Sequence, residues 1–359
     1  MLALSSLYGA CLMVSAGSLV TFFLGLELLS LPVYALVVAA SRRPESAEAA
    51  LKYLVLGGAG SATLLFGISL TLGATGALSV PAFAQAAADP APLALMAVTL
   101  VLLALMLKAA LVPFHAWAPD AYAGASVPVT AYMATVVKGA ILLGLVGLFA
   151  GAPLPGALVA LTGTLALISA LWGNLAAMRQ DGLRRMIAYS SIAHAGFLFF
   201  VLLGSPQGRP EAVIFYVLVY GLANLMAFAS LPRSADEAGR DRLDRLQGLY
   251  RRNPGAALLI TLAMLSLAGI PPLPGFVAKF LVFKNVMEAG YTAWAVAGLV
   301  ASYVGLYFYL RVIRLMFMAP PQDAGAPART GVLPGVAGLL CGAAVAAVTI
   351  FPGWLLARL

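Results

Sequence analysis

Leu100–Asp120 reads LVLLALMLKAALVPFHAWAPD. An apolar run leads into Lys108, four more apolar residues follow, and Pro113 then interrupts the helix such a run dictates. A charge in a hydrocarbon core costs roughly 2.5–3.5 kcal/mol on insertion scales, so it rarely persists without a role. Proline removes a backbone donor and clashes with the preceding turn, which frees carbonyls there. Freed carbonyls hold water, and water beside an amine permits proton transfer. A buried lysine beside a broken helix therefore points to an all-α polytopic membrane protein with an ion or proton path. Snorkelling of Lys108 to the surface is the competing reading. It is weakened by His115, Trp117 and Asp120, which mark the membrane interface about two turns further on.

The combination recurs in Leu267–Phe283, LAGIPPLPGFVAKFLVF. Pro271, Pro272 and Pro274 break the helix, and Lys279 follows within two turns. Two more charges sit mid-span: Glu27 in TFFLGLELLSLPVYAL and Lys138 in AYMATVVKGAILLGLVG. A Glu27–lysine pair is either a packing device or a proton switch. A buried ion pair gives little net stability over an apolar one, which favours the switch. Burial favours the neutral amine and a nearby carboxylate the charged one. Moving Glu27 would therefore change the protonation of Lys108. Lys52, in SAEAALKYLVLGG, lies about a turn inside its span, and snorkelling explains it as well as a proton role does. In DGLRRMIAYSSIAHAGFLFF, Ser190 and His194 are four apart and share a helix face, with Tyr189 and Ser191 adjacent. A histidine among hydroxyls in a span relays protons, because it titrates near neutrality. Met264, Met287 and the scattered aromatics read as packing, and Cys11 and Cys341 as small core residues.

Composition agrees. Of 359 residues, 62% are hydrophobic and 9% charged, against about 25% charged in a soluble domain. The net charge of +8 follows from loop arginines, not from nucleic-acid binding. A crossing helix needs about 20 apolar residues. Eleven spans result, at roughly 1–16, 18–40, 48–72, 91–114, 126–150, 153–177, 185–205, 211–231, 255–283, 290–318 and 332–356. With the 41–47 loop in the cytoplasm, cytoplasmic loops hold fourteen arginines, from Arg42 and Arg43 to Arg233, Arg240 and Arg329. The other side holds only Arg209, Lys284 and Arg358. This bias puts the N-terminus inside and the C-terminus outside. The Arg233–Arg252 loop, with Asp236 and Glu237, reads as an amphipathic or solvated cytoplasmic connection. Spans one to five and six to ten each end in a broken helix followed by one more span. An odd helix count makes the second unit inverted, a transporter signature. The expected units are 1–150, 151–320 and a C-terminal helix in 321–359. No nucleotide loop, CxxC or H-E-x-x-H motif occurs, so redox chemistry must lie elsewhere.

Five stretches, in this order and spacing, carry a resemblance: LELLSLPVYAL, ESAEAALKYLVLGGAGSATLLFGISLTLGATG, LKAALVPFHAWAPDAYAGASVPVTAYMATVVKGA, LRRMIAYSSIAHAGF and LAGIPPLPGFVAKF. The chain resembles the N-type antiporter-like subunits of respiratory NADH:quinone oxidoreductase (complex I). WAPDAYAGASVPVTAYMATVVK and the lysine at 279 favour that type over its sister subunits. The resemblance implies a proton-translocating subunit of the bacterial cell membrane. In it Glu27 and Lys108 form a coupling pair, Lys138 and His194 a central relay, and Lys279 the exit. It implies no cofactor in this chain, with flavin, iron–sulfur clusters and quinone chemistry in partner subunits. The implied partners are the other membrane-arm subunits and the lipid bilayer. Family members usually have fourteen spans, and this chain starts where the fourth would. Either the start codon is misplaced or the chain is short, as in some animal mitochondrial versions. The Ala/Gly/Arg-rich composition fits a GC-rich bacterial genome better. The alternatives are an Mrp-type cation/proton antiporter subunit, an antiporter-like subunit of a membrane-bound hydrogenase, or a scaffold with structural charges.

Overall fold

The computed structural model describes residues 1–39, 43–152, 154–232, 241–320 and 330–358. Arg42, Arg233, Asp236, Glu237, Arg240 and Arg329 lie outside them. Within them the chain is helical, with two isolated β-bridges, Ser18–Ser79 and Gly182–Arg242.

Among the described residues, eight helices are long and apolar enough to cross a membrane, and three apolar ones are shorter. The first short one, α1 (Leu2–Val14), pairs with α2 (Leu19–Ala39). Its 13 residues rise about 20 Å, less than a hydrocarbon core of about 30 Å. Helix α3 (Pro44–Thr75) crosses behind them. Its stripe of small residues lets α2 close in; a Cβ on Gly57 would fall on the Tyr34 hydroxyl. A short α4 (Val80–Ala88), absent from the expected spans, is capped by Ser79 and has a proline in its first turn. It folds because Phe83, Ala82, Ala86 and Ala87 bury one face.

The other two short helices lead into the breaks. Helix α5 (Pro92–Lys108) ends at Lys108. The expected span ran on to 114, because proline was the visible stop signal. The chain leaves the helix earlier: Ala110 takes φ +61°, and the Leu111 amide closes on Met106 O at 2.9 Å. Pro113 therefore lies inside an extended break, and α6 (Trp117–Gly124) resumes beyond it. Trp117 is buried against Tyr53 and donates to Leu107 O at 3.2 Å, so it packs inside the break and does not mark an interface.

The next crossing joins α7 (Val127–Tyr132) to α8 (Lys138–Phe149) through a π-turn at Met133–Val137. Helices α9 (Gly156–Met178), α10 (Leu183–Phe199) and α11 (Arg209–Ala229) follow. At residues 241–253 the chain forms a 3-10 turn and α12 (Leu249–Arg252). The second break separates α13 (Pro254–Ala268) from α14 (Pro274–Glu288), with Gly269 at φ +78°. The tenth span is two helices, α15 (Thr292–Val304) and α16 (Leu306–Met318), joined at Gly305. A Cβ on Gly305 would lie 2.7 Å from Asn174 Oδ1, so close approach to α9 selects glycine there. The last span divides at Phe351 into α17 (Val332–Ile350) and α18 (Pro352–Leu356).

The described basic loops meet at one end, as the arginine count implies. Arg184 pairs with Asp241 at 3.0 Å, and Arg311 with Asp181 at 3.1 Å. Two packing expectations fail: Cys11 and Met287 face outward, whereas Cys341 and Met264 are buried.

Candidate functional site

Glu27, on α2, lies 3.4 Å from the Nζ of Lys108, the last residue of α5. The lysine side chain is 2% exposed and the carboxylate 22%. Ser61 of α3 donates a short hydrogen bond to the same carboxylate oxygen, Oε1. Three helices thus fix one ion pair, and the half-open carboxylate is the member able to respond to a neighbour.

Lys138 and Lys279 are built differently. Lys138 Nζ donates to Ala109 O at 2.9 Å and to Ser191 O at 2.8 Å. Lys279 Nζ donates to Ala268 O and to Ser302 Oγ, both at 2.9 Å. Each amine fills a carbonyl left free where a helix ends at a left-handed residue, and a proline further on keeps a backbone donor from it. In an α-helix the carbonyl of residue i accepts from the N–H of residue i+4. For Ala109 that residue is Pro113, and for Ala268 it is Pro272; proline has no N–H. Water is the occupant the sequence predicts for such carbonyls; in the structure the two lysines take them. Neither amine pairs with a carboxylate among the described residues. Each can therefore release its proton without stranding an opposite charge. The π-turn before Lys138 supplies the wider winding that such functional turns show.

His194 is buried between two tyrosine hydroxyls. Nδ1 lies 2.7 Å from Tyr216 OH and Nε2 lies 3.0 Å from Tyr309 OH. Tyr309 OH also meets Ser190 Oγ at 2.5 Å, so the shared helix face of Ser190 and His194 converges on one phenol. The Ser191 hydroxyl faces Tyr122 OH at 3.4 Å, while its carbonyl serves Lys138. Tyr189 packs at the margin of the core, and its hydroxyl makes no hydrogen bond among the described residues.

A cavity of about 10 Å³ lies between His194 and Lys279, with Tyr216, Tyr220 and Ser266 in its wall. Holding a water takes about this much space, and two to four polar partners. Among the described residues the buried hydroxyls of Tyr220 and Ser266 meet no partner in good hydrogen-bond geometry, which supplies that polarity. On its other side Lys279 meets a larger cavity of about 160 Å³, walled by Phe276, Phe280, Tyr303 and the Pro271 turn.

Lys52 stands apart. It is 45% exposed and pairs with Glu48 at 2.7 Å and Asp120 at 2.8 Å; Arg185 adds 3.2 Å to Asp120. This charged cluster lines a funnel at the basic end, so Lys52 reaches the surface as a snorkelling lysine does. Helix α9 braces the first break: Ser169 Oγ accepts from the Val112 amide at 2.9 Å, and Trp172 donates to His115 at 3.0 Å. Among the described residues no three of His, Cys, Asp and Glu converge as metal ligands.

Tyr189 apart, the tyrosines read as packing in the sequence, which hides Tyr216 and Tyr309. Their signal was faint: each lies on an apolar helix, and only the fold brings it to His194. Ser61 and Ser302 had none.

The transmembrane family described as NADH:quinone oxidoreductase/Mrp antiporter matches residues 16–305. NADH-quinone oxidoreductase subunit N of Pelobacter propionicus is 42% identical over 329 residues, which span 92% of this chain and 71% of that protein. A chain of respiratory complex I from Thermus thermophilus, solved with bound aureothin, superposes with a TM-score of 0.86 at 38% identity. The match covers 99% of this chain and 78% of that one. A chain of the membrane-bound sulfane sulfur reductase, an archaeal respiratory membrane complex, gives 0.87 at 28% identity, over 98% and 72%.

Proposed function

The chain belongs to the NADH:quinone oxidoreductase/Mrp antiporter transmembrane family, and on that premise we propose how its buried charges work. It is a multi-pass membrane subunit that moves protons within an NADH:quinone oxidoreductase, beside other membrane-arm subunits. Its bacterial relatives carry the name subunit N, which supports this reading over a stand-alone antiporter. Flavin, iron–sulfur and quinone chemistry belong to partner subunits, and this chain contributes the proton path in a bacterial cell membrane. Residues 1–150 and 151–320 act as two half-channels of opposite orientation, with 321–359 as a closing helix. Two similar breaks, each with a left-handed residue and a lysine-filled carbonyl, support that division. The basic end faces the cytoplasm, with the N-terminus inside and the C-terminus outside.

The observation that carries the reading is the succession of titratable groups across the fold: partly buried Glu27 on Lys108, then buried Lys138, His194 and Lys279. Redox chemistry elsewhere shifts the carboxylate of Glu27 relative to Lys108. Separation favours the neutral amine and approach the ammonium. Lys138 and His194 pass the proton laterally, and Lys279, beside its larger cavity, delivers it. The test is Lys279→Ala in an assembled complex. Proton uptake per NADH falls if Lys279 is the exit; unchanged uptake removes it from the path.

A further inference from the structure

We propose that Tyr216 and Tyr309 carry protons, forming with His194 and Ser190 one hydrogen-bonded wire whose state is the tautomer of His194. The proposal rests on the central-relay reading above and extends it to residues that reading does not use.

The geometry is a continuous line. From the cavity shared with Lys279 it runs through Tyr216 OH, His194 Nδ1, His194 Nε2 and Tyr309 OH to Ser190 Oγ. Its contacts of 2.7, 3.0 and 2.5 Å are all within hydrogen-bond range. One end therefore borders Lys279. The other adjoins Ser191, whose carbonyl holds Lys138. The wire joins the surroundings of two lysines that do not touch.

A neutral imidazole has one donor nitrogen and one acceptor. A structural histidine usually has its tautomer fixed by a carbonyl or carboxylate on one nitrogen. Here both neighbours are hydroxyls, which donate or accept equally well. Two arrangements therefore satisfy every member. In one, Nε2–H donates to Tyr309, Tyr309 donates to Ser190, and Tyr216 donates to Nδ1. In the other every direction is reversed. Such equivalence is what conduction along a wire needs, and a packing histidine has no need of it.

The step balances. A proton reaches the Tyr216 oxygen from the cavity side, and Tyr216 passes its own hydroxyl proton to Nδ1. Nε2 releases its proton to the Tyr309 oxygen, and Tyr309 passes its hydroxyl proton to Ser190 Oγ, which gives one up beyond. One proton enters and one leaves, no electron moves, and His194 changes from Nε2–H to Nδ1–H. Turning the ring leaves the proton on Nδ1, so the first state returns by a tautomer exchange through water, in which Nδ1 gives up its proton and Nε2 takes one, with no net gain or loss. The same events run in the opposite direction with equal ease.

The test uses the assembled complex in inverted membrane vesicles, with uptake normalised to complex on native gels. Tyr216→Phe and Tyr309→Phe keep each ring and remove only the hydroxyl. Proton uptake per NADH is expected to fall in both to the level of His194→Gln. The Tyr216→Phe/Tyr309→Phe double variant should be no worse than either single one, because one wire is cut once. Additive losses would indicate separate packing effects and overturn the proposal. Wild-type uptake in the phenylalanine variants, with uptake lost in His194→Gln, would also overturn it while leaving the relay in place. Wild-type uptake in His194→Gln would instead remove the relay itself. If Tyr309→Phe lowers assembly, Tyr216→Phe and Ser190→Ala cut the same wire at its ends and decide the matter.

Discussion

Lys138 and Lys279 sit on different helices, in different parts of the chain, yet each donates at 2.9 Å to the carbonyl one residue before a left-handed turn. For Lys138 that carbonyl is Ala109 O, before Ala110; for Lys279 it is Ala268 O, before Gly269. In both breaks the residue four positions on is a proline, so no backbone donor competes for the oxygen. The lysines are therefore part of the breaks as well as of the proton path. Protonation at either amine is tied to the geometry of a helix end.

Lys138→Arg separates those two roles. Arginine keeps donors for carbonyls but does not give up its proton in a protein. The variant complex is expected to assemble, as judged by its abundance on native gels, and to lose proton uptake. Normal uptake would place the path elsewhere.

Gly269→Ala should disturb the second break directly. Gly269 has φ +78°, and an added Cβ would stand 2.9 Å from Lys279 Cδ and 3.1 Å from Nζ. The left-handed backbone costs about 1–2 kcal/mol for a residue with a Cβ, and the amine is pushed from Ala268 O. Proton uptake should fall and the purified complex should inactivate sooner on heating. Ala110→Gly, which relieves the same strain in the first break, should lengthen that heat half-life.

Much of this arrangement was legible before the structure. Apolar length and arginine placement gave the crossings, and the prolines gave two breaks. The i−4 rule even identifies Ala109 and Ala268 as the carbonyls left without donors. What sequence could not say is which group takes them, because Lys138 lies 29 residues from Ala109 and only tertiary packing joins them. The end of α5 was misjudged because the stop comes from the backbone of Ala110, an alanine with no local turn signal. Tyr216 and Tyr309 were hidden for a similar reason: a tyrosine on an apolar helix reads as packing until its hydroxyl has a partner.

The Glu27–Lys108 pair should behave as a coupled unit. Removing one partner leaves a buried charge uncompensated, which costs about 3 kcal/mol or more. Glu27→Gln and Lys108→Met are each expected to lower complex abundance. The Glu27→Gln/Lys108→Met double variant should recover abundance but not proton uptake. Abundance losses that simply add would show that the two residues do not interact.

Arg209 offers a contrast, a buried charge with a structural task. Its two terminal nitrogens donate to Phe149 O, Ala152 O, Leu202 O and Gly204 O at 2.6–3.0 Å. It ties the ends of α8 and of the helical segment after α10 to the start of α11. Arg209→Met leaves these carbonyls without the donor, each at about 1–3 kcal/mol where buried. Assembly is expected to drop steeply, with uptake per assembled complex unchanged. A normal yield with reduced uptake would move Arg209 into the proton path.

The most direct test of the account is Lys108→Ala in inverted membrane vesicles. NADH:quinone turnover and proton uptake would be measured together, with complex abundance followed on native gels. The account expects turnover and uptake per assembled complex both to be lost, beyond the fall in abundance that breaking the pair brings, because Lys108 links the motion of Glu27 to the rest of the path. Normal turnover with normal uptake in the assembled variant would contradict it, and would leave the buried lysine a structural residue.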